Sequence, residues 1–114
     1  MFVGVARVVI QIPGSRSLKD RRSVVRSFKD RVRARLGASV AEVGDVESWQ
    51  VATFGLSTVS GERSRCEAAM SQAVSIAHSL SEALVADVRT EVFSFGRAGE
   101  GIRNGIESSL DEEP

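Results

Sequence analysis

The spacing of apolar residues alternates between two periods along the chain, and that alternation limits the folds open to it more than any other feature. Residues 2–12 (FVGVARVVIQI) are rich in valine and isoleucine and stop at Pro13-Gly14, where proline removes a donor and glycine permits a turn; this predicts a strand. Ser17 with Asp20 three positions later forms an S-x-x-D cap: the hydroxyl accepts an orphan N–H, and the carboxylate favours the positive end of the helix dipole. From Leu18 onward, Val24, Val25, Phe28, Val32 and Leu36 recur at helical spacing, and Gly37 suits the left-handed closing position, so a helix is expected over Leu18–Leu36.

Residues 39–44 (SVAEVG) and 49–60 (WQVATFGLSTVS) are strand-like and joined by a polar turn at 45–48, as in a hairpin. Cys66, Ala69, Met70, Ala73, Ala77, Leu80 and Leu84 share one stripe, which predicts a second amphipathic helix over 62–84. Residues from 84 or 85 to 95 then alternate as a final strand. The order β-α-β-β-α-β, with long crossovers around a hairpin, is the split βαβ arrangement. The expected fold class is α+β: a ferredoxin-like βαββαβ sandwich, with one four-stranded antiparallel sheet and two helices on one face. The other sheet face is left open.

The 114 residues fit one domain, assigned to 1–95, and the Gly-rich acidic stretch 96–114 is expected to be a flexible tail. With 42% apolar and 26% charged residues the chain is too apolar for disorder and too charged for a membrane protein. It has neither a run of the roughly 20 apolar residues that spans a bilayer nor a secretory signal, so a cytoplasmic location without membrane partners is expected. One Cys and one His cannot furnish a zinc site, so no metal and no cofactor are expected.

The net charge of zero conceals a division: ten basic and two acidic residues up to position 40, five basic and thirteen acidic beyond it. The loop 12–22 (IPGSRSLKDRR) places Ser15, Arg16, Ser17 and Lys19 around a helix N-terminus, where an anion could bind or the same groups could serve only as caps. Along the helix, Lys19, Arg22, Arg26, Lys29 and Arg33 fall in one arc beside the apolar stripe. Asp20 and Asp30 are too few to pair with them, so the ridge reads as a site for a polyanion such as structured or ribosomal RNA.

On the open sheet face, period-two alternation places Val3, Val5, Val9, Trp49, Val51, Phe93 and Phe95, an apolar surface suited to self-association. A homodimerising protein-interaction module is therefore the alternative function. Catalytic signals are thin. His78 has no second histidine and no nucleophile motif to work with, Cys66 sits on the apolar stripe, and Glu42, Asp45 and Glu47 read as turn and surface groups. An acylphosphatase-like site at the first strand-to-helix loop would need an asparagine to position water, and Asn104 lies far along in the tail. The expectation is a non-enzymatic domain.

The segment MFVGVARVVIQIPGSRSLKDRRSVVRSFKDRVRARL, followed by SVAEVGD and the pair Trp49-Gln50, resembles the YlxP-like family of bacterial domains of unknown function over residues 1–95. The resemblance implies a small ferredoxin-like sandwich and no catalytic residues. It also implies an association with RNA or the ribosome, since genes of that family often adjoin those for translation and ribosome-maturation factors.

Overall fold

The computed structural model describes residues 1–44 and 48–96. In chain order the elements are β1 (Phe2–Gln11), α1 (Leu18–Leu36), β2 (Ser39–Glu42), β3 (Val51–Ser60), α2 (Arg63–His78) and β4 (Leu84–Ser94). The strands form one antiparallel sheet in the order β2-β3-β1-β4, so the α+β ferredoxin-like arrangement stands. α1 packs against β2 and α2 packs across β1 and β4.

Local chemistry accounts for the first half. The Ser17 hydroxyl accepts the Asp20 N–H at 3.2 Å, and the Asp20 carboxylate accepts the Arg16 N–H at 3.1 Å. Gly37 closes α1 at φ 60°, its N–H donating to the Arg33 carbonyl. Alternation in β1 buries Gly4, Ala6, Val8 and Ile10 beneath the helices. Ala52, Phe54 and Leu56 do the same in β3, and the Phe28 and Phe54 rings meet 4.6 Å apart at the core's centre.

The register leaves the opposite side of the sheet open. Val3, Val5, Arg7 and Val9 of β1 face Phe93, Glu91, Arg89 and Asp87 of β4 in that order, before a bulge shifts the pairing between Val9 and Ile10. Both outer strands carry side-chain guards. The N–H and C=O groups of a strand residue point to the same side, so Val40 of β2 and Val92 of β4 turn their carbonyls outward. Arg33 of α1 donates to the Val40 carbonyl at 3.4 Å and Arg63 of α2 to the Val92 carbonyl at 3.1 Å.

Three element boundaries differ from the expected ones. α2 ends at His78 rather than at position 84, because the Ser79 hydroxyl turns back to donate to the Ile76 carbonyl at 2.7 Å; Leu80 stays buried beyond the helix, while Leu84 opens β4 in an exposed position. β2 stops at Glu42. β3 begins at Val51, so Trp49 lies in a bend before the strand and is not part of its alternation; Gln50 is held instead by the Ile12 N–H, which donates to its carbonyl at 2.7 Å. Most of the expected hairpin turn (45–47) and the tail from 97 onward lie outside the described residues.

Candidate functional site

α1 carries its charge in two layers. The Arg21 side chain is buried (3% exposed) against the sheet, where it donates to the Glu42 carboxylate and to the Val51 carbonyl at 3.1 Å. This pair ties α1 to β2 and β3 from inside the protein and spends one arginine of the basic segment on structure. Its position was readable in part: Arg21 precedes Val25, Phe28 and Val32 at helical spacing, so it occupies a stripe otherwise made of apolar residues. Its partner lies 21 residues away and leaves no local signal.

The outer layer is the ridge. Arg16, Lys19, Arg22, Arg26 and Arg33 are exposed and Lys29 is half-buried. Successive members three or four residues apart on a helix stand about 5–6 Å apart at Cβ, so Lys19 to Arg33 extends over about 21 Å. Among the described residues the ion pairs are Arg7–Asp87, Arg21–Glu42 and Arg65–Glu62, and none involves a ridge cation. Two shallow hollows run along it, both bordered by Arg22, Arg26 and Asp30; Lys19 joins them at one end, Lys29 and Arg33 at the other. Arg33 has a second attachment through Val40, described above.

The serines sit differently from the ridge. Ser15 is 2% exposed, and its hydroxyl donates to the Ser17 carbonyl at 3.1 Å, while Ser17 serves Asp20. The Gln50 side-chain amide adds a 3.4 Å bond to the Ser15 carbonyl. The hollow beside Gly14 is lined by Asp20 and Glu82 as well as by Ser15 and Ser23, so carboxylates already stand where an anion would approach the helix end. The structure thus brings Lys19, Arg22, Arg26, Lys29 and Arg33 together as one surface, turns Ser17 to capping and buries the Ser15 hydroxyl against the Ser17 carbonyl.

The apolar candidates lie on the other side of the molecule. Val3, Val5, Val9 and Phe93 are half-buried on the open sheet face, and Val51 and Phe95 are exposed there. Trp49, at 53% exposure, stands in the bend. Val59, 63% exposed and opposite Val3, belongs to the same face and was not among the expected residues, although period-two counting from Val51 reaches it. Cys66 is buried with its thiol 3.6 Å from the Phe2 carbonyl, and His78 is exposed at the last turn of α2. No cluster of three or more His, Cys, Asp or Glu side chains placed to hold a metal occurs among the described residues. No helix among them is long and apolar enough to cross a membrane.

A family model described as "Protein of unknown function (DUF503)" matches residues 3–90. The "Uncharacterized protein YlxP" of Bacillus subtilis (strain 168) is 30% identical over 92 residues, which is 81% of this chain and the whole length of that protein.

Proposed function

The chain belongs to the DUF503 family of proteins of unknown function, and on that premise we propose that it is a cytoplasmic, non-enzymatic domain that binds structured RNA, ribosomal RNA included, through the backbone phosphates. The observation that carries this reading is the set of ridge cations on α1 without a carboxylate partner among the described residues. A solvated helix face normally interleaves acids with bases, because pairs at four-residue spacing stabilise the helix; this face sets Asp30 alone among five cations, pairs it with none of them among the described residues, and accepts like-charge repulsion.

Lys19, Arg22, Arg26, Lys29 and Arg33 are the contacts, with Arg16 beside the helix start. Each cation displaces a condensed counterion from a phosphate, which gives affinity with little sequence selectivity. The ridge presents no aromatic side chain on which a base could stack, so a backbone reader fits better than a single-strand reader. The buried Arg21–Glu42 pair fixes the inner side of the helix, which keeps the ridge in register while long side chains adapt to the phosphates.

The experiment is capture of RNA from a cell lysate by the tagged protein, with and without ribonuclease, at low and at high salt. RNA that is retained at low salt and lost both to salt and to the Arg22→Glu/Arg26→Glu variant supports the reading. Equal retention by that variant overturns it.

A further inference from the structure

The open sheet face holds an arrangement of charge that a single copy leaves incomplete. Arg7 and Arg89 stand directly opposite each other in the register, a placement in which like charges destabilise a sheet. Asp87 answers Arg7 at 3.1 Å, with both side chains more than half exposed. Among the described residues, Arg89 and Glu91 form no ion pair. They sit two residues apart on the same strand and therefore on the same face, about 7 Å from one another along β4. A shallow hollow lies between them and Val5 and Arg7.

From this we infer that the open sheet face binds a second copy of the same chain about a two-fold axis passing between Arg89 and Glu91. An isologous contact sets each residue i of one copy against j of the other and j against i. With the axis there, Arg89 meets the partner's Glu91 and Glu91 meets the partner's Arg89, so both unanswered charges are satisfied by one operation. A partner protein of other sequence would need an independently matched plus-and-minus pair at this spacing; a second copy carries it already.

Apolar residues flank the charges. Val3, Val59, Phe93 and Phe95 adjoin at one end of the face and Val9 and Val51 at the other. β1 and β3 contribute ten residues each, β4 eleven and β2 four, which gives the face about 550 Å² in plan at ordinary strand spacing and rise. Accessible area exceeds plan area on a surface covered with side chains, which brings the face near the roughly 800 Å² per partner of a standard interface. The helices cover the other side of each sheet, so both α1 ridges stay on the outside of the pair.

The test is sedimentation of the full-length protein from micromolar to hundred-micromolar concentration, with circular dichroism to establish that each variant is folded. The wild type is expected at twice the chain mass at the upper end. Arg89→Glu turns two attractions into repulsions and should weaken the dimer by about tenfold or more. The double exchange Arg89→Glu/Glu91→Arg should restore it, because the reciprocal pairs re-form with their signs swapped. A folded wild type that stays monomeric throughout overturns the inference. So does a dimer indifferent to Arg89→Glu, or one that the double exchange fails to restore.

Discussion

Charge reversal at Arg22 and Arg26 gives the ridge a quantitative test. Five cations from Lys19 to Arg33, engaging about five phosphates, should give log affinity against log salt a slope of about −3.5 on single strands and about −4.5 on duplex. Raising salt from about 50 to about 200 mM then weakens binding by about 100- to 500-fold. Arg22→Glu/Arg26→Glu leaves at most three contacts, so its slope falls to about −2 to −3 and the same salt step costs about 20- to 40-fold. Because both side chains are exposed and bond no described residue, the substitution should leave the melting temperature close to that of the wild type. Fluorescence anisotropy with a labelled stem-loop RNA, titrated at four or more salt concentrations, measures both slopes. Equal slopes for the two proteins, or a wild-type affinity insensitive to salt, would refute the reasoning, since either result means that the ridge releases no counterions.

Three stability predictions follow from the interior. Glu42→Ala strips the carboxylate from the buried Arg21 guanidinium and should cost about 3 kcal/mol in urea denaturation; a loss below about 1 kcal/mol would show that the pair is not held in solution. Gly4→Ala brings a methyl group to 3.2 Å from Met70 Cγ and 3.3 Å from Cys66 Cβ. The Cys66 carbon is fixed to the α2 backbone and cannot swing away, so a net loss of about 1 kcal/mol is expected by the same assay, whereas unchanged or increased stability would mean that α2 shifts freely over β1. Ser17→Ala removes the acceptor for the Asp20 N–H and should cost about 1 kcal/mol, with Ser17→Asp recovering most of it; identical midpoints for Ala and Ser would rule out the cap.

What could be read in the sequence was what local chemistry decides. The bounds of α1 follow from Ser17, the apolar stripe and Gly37, all of which act within one helical turn of the residue they govern. The faces of β1 follow from its alternation. The inward face of Arg21 was legible from its place on the apolar stripe, but its partner was not, because Glu42 lies twenty-one positions away. The start of β3 escaped for a related reason: Gln50 looks like strand, but the β1 terminus captures its carbonyl, and Trp49 is left in the bend. The end of α2 turned on one hydroxyl, that of Ser79, competing with the next helical bond. Ridge membership was legible from helical spacing, whereas the uses of Ser15 and Ser17 depended on which groups folding placed beside them.

Arg33 and Arg63 also bear on how the protein behaves in a crowded solution. Each bonds an outward carbonyl of a terminal strand, one on either flank of the sheet. A foreign extended peptide arriving at either flank must evict a charged side chain before it can add a rung. Resistance to fibrous self-stacking is thereby delegated to two helices, and it lasts as long as those helices stay folded onto the strands they shield.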